Sequence, residues 1–129
     1  MANKVEHYKP IFITTKENCE NKALHNRQFT LDFSRESVAR AEDFGFRLEE
    51  IDTKVVTMTL KIFYFSFYMH HKDITMSDAE DIFDNELHGL TEEEFDRLLM
   101  LFVQGFETLT YNEDSVDEEV KNSRATVIL

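Results

Sequence analysis

A chain of 129 residues fits one domain with a useful core, and 42% apolar content marks it as globular rather than disordered. Three Gly and one Pro are too few for the frequent tight turns of an all-β sandwich or barrel. A net charge of −12 is repelled by phosphate backbones and anionic lipid, so neither nucleic acid nor a membrane surface is an expected partner, and a basic protein is a better match.

The charge is uneven. Ten acidic residues and no Lys or Arg lie between Asp73 and Asp96, whereas eleven of the fourteen basic residues lie at or before Lys72. Solubility alone also accounts for such an acidic run. Cys19 is the single cysteine, so no internal disulfide forms and a reducing compartment is expected. The opening MANKVEHYKP has no apolar signal core, and the run from Val55 to Met69 is too short to span a bilayer and carries Lys61. The expectation is a soluble, cytoplasmic protein.

In chain order, residues 1–10 read as a lead-in ending at Pro10, and Ile11-Phe12-Ile13-Thr14 as a short strand. The polar stretch 15–27 reads as a loop. Gln28 to Phe33 then alternates, with Phe29, Leu31 and Phe33 on one face, which predicts a hairpin whose long loop leaves the register open. Ser34 can cap a helix over 35–43, with Glu36 in its first turn. Gly45 suits the left-handed position past its end, with Phe46 supplying the accompanying apolar contact. Residues 46–52 connect, and Asp52 or Thr53 can cap the next helix.

The segment 53–71, plotted as a helix, has two apolar stripes. Val55, Met58, Ile62, Phe65 and Met69 form one; Val56, Leu60, Phe63 and Phe67 form the other. A helix apolar on two faces is buried on two faces. Its β-branched and aromatic content also permits a strand, but one of that length would be unusual. Ser77-Asp78-Ala79-Glu80 has capping-box spacing and opens a helix over 78–88, which Gly89 ends. Thr91-Glu92-Glu93-Glu94 repeats the pattern before a helix over 92–110, in which Phe95, Leu98, Leu99, Phe102, Phe106 and Leu109 recur at helical spacing. Met100, Leu101 and Val103 widen that stripe beyond what one partner helix requires. The predicted fold is therefore mainly α: an N-terminal hairpin and about four helices in a single domain over 1–111, followed by a flexible acidic tail over 112–129.

Chemistry is hard to find. His70 and His71 are adjacent, so on a helix they diverge by about 100° and cannot share an ion as an i, i+4 pair would. They suit a helix end, where a cationic side chain favours the dipole. Neither HExxH, a CxxC pair, a calcium loop, GxSxG nor a glycine-rich phosphate loop occurs. Cys19 sits in a polar loop without an activating partner. The paired carboxylates of 73–96 lack environments that would split their pKa values. No catalytic residue, metal or cofactor is expected, and the chain reads as a binding protein rather than an enzyme.

What remains is apolar surface. The stripes of 53–71 and 95–109 hold more of it than a four-helix monomer of this size needs. Either the hairpin covers the excess within a tight core, or a partner or a second copy does. The candidate partner-binding residues are Met58, Ile62, Phe65, Met69, Leu99, Met100, Val103 and Phe106. Which face is core and which is interface stays open.

Several phrases carry a resemblance: FTLDFSRESV over 29–38, EDFGF over 42–46, LEEI over 48–51, the apolar helix ending YMHHK at 68–72, and QGFETL over 104–109. Together, across residues 10–115, they resemble a family of small proteins from phages and prophages of Gram-positive bacteria, similar to the tail assembly chaperones of long-tailed phages. The resemblance implies a role in the host bacterial cytoplasm: binding the tape-measure protein, keeping its hydrophobic helices soluble, and helping to recruit the major tail protein. Five Met and twelve Phe suit an adaptable apolar surface, and strong negative charge keeps such a complex soluble. Two other readings stand beside it. One is an acidic DNA mimic, with Asp78, Asp81, Asp84, Glu92, Glu93 and Asp96 in place of phosphates; the other is a minor structural protein of the head–tail junction.

Overall fold

The computed structural model describes residues 8–16 and 21–107. Two strands come first, β1 (Ile11–Thr14) and β2 (Gln28–Leu31), paired antiparallel with Ile13 opposite Phe29. The connection stays closed through the backbone pair Thr15–Arg27, with Thr15 N–H donating to the Arg27 carbonyl at 2.9 Å. Thr15, buried, also accepts from Arg27 N–H and donates from its hydroxyl to the Leu24 carbonyl. A 3-10 turn over Lys22–Leu24 drops Leu24 into the core. Cys19 lies outside the described residues.

The second strand stops two residues earlier than alternation predicts. Asp32 N–H leaves the ladder for the Ser66 carbonyl at 2.9 Å, and Phe33 N–H bonds the Asp32 carboxylate at 2.8 Å. The face prediction holds, since Phe29, Leu31 and Phe33 are all buried.

Helix α1 spans Arg35–Asp43 as expected, with Ser34 and Ser37 closing a reciprocal cap. Its end is a Schellman motif: Phe46 N–H reaches the Ala41 carbonyl and Gly45 N–H the Glu42 carbonyl. Gly45 has φ +90°, and Phe46 is buried against the helix it terminates. The remaining carbonyls meet cations. Arg47 donates to those of Glu42 and Phe46, and Lys61 to that of Phe44. Lys61 therefore interrupts the apolar run of the next helix in order to cap this one.

Helix α2 spans Val55–Tyr68. Neither Asp52 nor Thr53 caps it; Lys54 takes that position without a side-chain bond, and the chain winds in from a 3-10 turn at Leu48–Glu50. Both stripes are buried along the body of the helix, as Met58, Ile62 and Phe65 from one and Phe63 and Phe67 from the other show. Helix α3 (Met76–Asp81) starts two residues before the expected position 78, because Thr75 and Asp78 rather than Ser77 and Glu80 form the box. From Ile82 it widens into a π turn, Ile82–Glu86, closed by Leu87 N–H on the Ile82 carbonyl at 3.0 Å. His88 and Gly89, both at positive φ, end it. Helix α4 (Glu92–Glu107) opens on the predicted Thr91–Glu94 box, with bonds of 2.8 and 3.1 Å. Its expected continuation to 110 and the expected tail over 112–129 lie outside the described residues.

Two aromatic chains join these elements. Phe29, Phe67, Phe63 and Phe83 run edge-to-face from the hairpin through α2 to the π turn, at centroid spacings of 5.3, 5.2 and 5.5 Å. Phe33, Phe102 and Phe46 tie the hairpin's exit, α4 and the end of α1 together at 5.3 and 4.9 Å. Every buried side-chain polar atom among the described residues has a partner.

Candidate partner-binding surface

The eight candidate residues separate into two sets. Met58, Ile62 and Phe65 are at most 2% exposed, packed beneath the hairpin, α1 and α4, and cannot touch a partner without unfolding the core. This corrects their assignment to a surface: α2 spends both stripes on the fold itself. Met69, at the end of α2, is 41% exposed and stays available.

Helix α4 behaves differently. Leu98, Leu101 and Phe102 are buried, with Gly105 between α1 and the hairpin exit. Leu99, Val103 and Phe106 are half-buried and Met100 is 37% exposed. At 100° per residue, Leu99, Val103 and Phe106 fall on one flank with Phe95, adjoining the exposed acids Glu92 and Asp96. The opposite flank is closed by the N-terminal lead-in, where Gln104 accepts from Tyr8 N–H at 2.7 Å and Arg97 donates to the Lys9 carbonyl at 3.1 Å. Among the described residues, the widened stripe is thus only half-covered along the edge of Leu99, Val103 and Phe106.

Two depressions carry apolar lining. The first lies between the α1–α2 connection and the end of α4, about 290 Å³, lined by Phe46, Leu48, Phe102 and Phe106 with Glu42, Arg47 and Glu49 at its rim. The second, about 200 Å³, lies between the start of α2 and the π turn, lined by Val55, Val56, Thr59, Leu60, Phe83 and Asp84. Val55 and Val56 there are 56% and 72% exposed. The sequence placed both in core stripes; the first helical turn projects past its neighbours, which periodicity alone does not reveal. Phe12 and Phe44 are exposed as well.

The acidic side chains are unequal. Asp78 is committed to the fold, accepting from Thr75 N–H and from the Asn21 amide, both at 3.1 Å. Asp81 accepts from Asn85 at 2.5 Å. Asp84, Glu92, Glu93 and Asp96 are exposed.

His70 and His71 sit just past the end of α2, as expected, but His71 is not the cation expected there. His71 lies past the end of α2, where its Nε2 accepts the outward-facing Thr30 N–H of β2 at 2.9 Å and its ring meets Phe29 edge-on. Burial foremost, then the nearby Arg27 guanidinium and His70, hold its pKa below the ordinary 6.5. It works as a neutral acceptor, not as a cation on the helix dipole. Arg27 also bonds Asp73 at 3.2 Å and lowers that carboxyl's pKa. Among the described residues no three His, Cys, Asp or Glu side chains gather as a metal site would require, and no helix is long and apolar enough to cross a membrane.

The fold and its surface define a small helical protein with an N-terminal hairpin and a half-buried apolar flank beside an acidic helix start. By sequence, the chain belongs to the family described as a domain of unknown function, DUF5055, whose profile matches residues 15–128. No curated protein and no solved structure matches it.

Proposed function

We propose that this protein is a tail assembly chaperone in the sense its sequence resemblance implies: a non-enzymatic binding protein that holds the hydrophobic helices of a phage tape-measure protein in the host bacterial cytoplasm. The observation that carries the reading is the α4 flank, where Leu99, Val103 and Phe106 stay half-buried and Met100 projects although the core beneath is complete. Contiguous apolar surface on an otherwise acidic protein marks an interaction site, and the thioether of Met100 adapts to irregular partner surfaces. The exposed valines at the start of α2 offer a second patch of the same character. Recruitment of the major tail protein and self-association of the chaperone belong to the same proposal.

The charge-mimic reading draws less support. Of its six acids, Asp78 is an internal cap and Asp81 is held by Asn85, leaving four exposed side chains. Co-expression with the tape-measure protein of the same phage genome tests the proposal. The expected result is a soluble complex from a tape-measure protein that precipitates alone; a tape-measure protein that stays insoluble, with this protein free in the supernatant, overturns it.

A further inference from the structure

The groove between the α1–α2 connection and the end of α4 has an unusual composition. Its floor is aromatic: Phe46 and Phe102 are 1% and 3% exposed and meet edge-to-face at 4.9 Å, and Phe106 follows Phe102 at 5.7 Å. Leu48, half-buried, forms the opposite wall. At about 290 Å³ it lies at the bottom of the range for small-molecule sites, about 300–1,000 Å³. With exposed Glu42, Arg47 and Glu49 around its mouth, it suits a large side chain entering from outside better than an enclosed cofactor.

The rim says what kind of chain brings that side chain. Glu42 and Asp43 occupy the last turn of α1, where a carboxylate opposes the helix dipole and costs stability. Among the described residues, the side-chain carboxylates of Glu42, Asp43 and Glu49 have no hydrogen-bond or ion-pair partner. The rim's cation, Arg47, is turned back onto the carbonyls of Glu42 and Phe46. The fold thus gains nothing from these acids, and such locally unfavourable choices are expected where a residue serves something other than folding.

We infer that this groove anchors one large apolar side chain of a partner segment that carries Lys or Arg within a turn of that anchor. Charge decides among occupants. A second copy brings a net charge of −12, and the chain's own 112–129 segment brings Glu113, Asp114, Asp117, Glu118 and Glu119 against only Lys121 and Arg124. The copy as a whole and the acidic stretch 113–119 of that segment are repelled by an acidic rim, whereas a basic amphipathic segment is attracted. The inference deepens the chaperone reading by naming the partner's chemistry, and rests on that reading only for the partner's identity.

Two amphipathic peptides of about 15 residues, long enough to form helix on binding, test it. They share their Leu and Phe positions and differ in carrying Lys or Glu between them. In the full chain, titration with the Lys peptide is expected to shift the amide resonances of Phe46, Arg47, Leu48, Glu49 and Phe106, and the Glu peptide to leave them still. Glu42→Gln with Glu49→Gln, which disturbs no fold contact, is expected to weaken the Lys peptide about three- to tenfold, as two rim charges can. Leu48→Ala is expected to weaken both the shifts and the affinity. Equal binding of the two peptides, or shifts confined to another surface, overturns the inference. So do contacts from residues 108–129 already filling the groove in the free protein. A tape-measure complex that forms while the Lys peptide fails to bind separates this failure from that of the chaperone reading.

Discussion

Gly105 sits in the last turns of α4, and replacing it by Ala sets two effects against each other. In an exposed helix the change stabilises by about 1 kcal/mol, because Gly is the poorer helix former. Here an added Cβ would lie 2.8 Å from Val38 Cγ2 and 3.2 Å from Phe33 Cβ, with the Phe33 carbonyl oxygen at 3.5 Å. Val38 and Phe33 are 3% and 5% exposed, so neither has solvent to move into, and α4 must lift from α1 and the hairpin exit. Overpacking of this kind costs about 1–3 kcal/mol. With contacts this short the cost falls in the upper part of that range, leaving a net loss of about 1–2 kcal/mol. For a domain of this size each kcal/mol lowers the melting temperature by about 3–5 °C. Urea unfolding followed by circular dichroism measures the difference directly. Val38→Ala in the Gly105→Ala background should then cost less than it does alone, with a coupling above about 0.5 kcal/mol. A variant as stable as the parent, or more so, would show that α4 does not pack this closely and would refute the argument.

Two other perturbations test the core and the hairpin edge. Phe63→Ala removes a fully buried ring that meets both Phe67 and Phe83, and should cost about 3–5 kcal/mol by chemical denaturation; a loss below about 1 kcal/mol would place the ring outside the core, by the same scale. His71 is held below its ordinary pKa, so as pH falls the unfolded chain takes up that proton before the folded one does. Its contribution is complete above 6.5 and is lost as pH drops through that value toward the lowered folded one. Asp73, also lowered but largely exposed, adds a small loss in the same direction further into acid. His71→Gln, which keeps an acceptor for Thr30 N–H, should remove the stability step that begins as pH falls through 6.5. If parent and variant lose stability in parallel, the step belongs elsewhere.

Local signals in the sequence were strong wherever a few adjacent residues decide the outcome. Ser34, Gly45 with Phe46, and the Thr91–Glu94 box fix the ends of α1 and the start of α4 through bonds spanning at most five residues. At the start of α3 two boxes compete at the same spacing, and Thr75 prevails over Ser77. The π turn is not legible in periodicity, because Leu87 over Ile82 follows a wider repeat; it also brings the Glu86 carboxylate to Lys16 N–H at 2.7 Å, seventy residues away.

Long-range placement decided the surface, and there the sequence was silent. Two stripes on α2 could both be read, but not which would be covered; hairpin and helices cover both along its body, and the first turn and Met69 stay exposed. His71 depends on a strand amide 41 positions earlier, so its role as an acceptor could not be seen from a helix end alone. The groove beside α4 draws Phe46 and Leu48 from a connection and Phe102 and Phe106 from a helix more than fifty residues on. On α4 itself the excess width of the stripe was visible in Met100 and Val103, which the fold leaves exposed and half-buried.

The central claim is that partner binding runs on apolar contact along α4, and the dissociation rate of the tape-measure complex tests it most directly. That rate should rise when Met100 and Val103 are replaced by Ser, while the complex persists near 1 M salt, where the Debye length falls to about 3 Å. Replacing the exposed Asp84 and Asp96 by Asn should alter the association rate more than the dissociation rate, as rim charges do. Loss of binding in the Asn variant, with the Ser variant still bound and the parent complex dissolving in salt, would contradict the account and leave charge mimicry in its place.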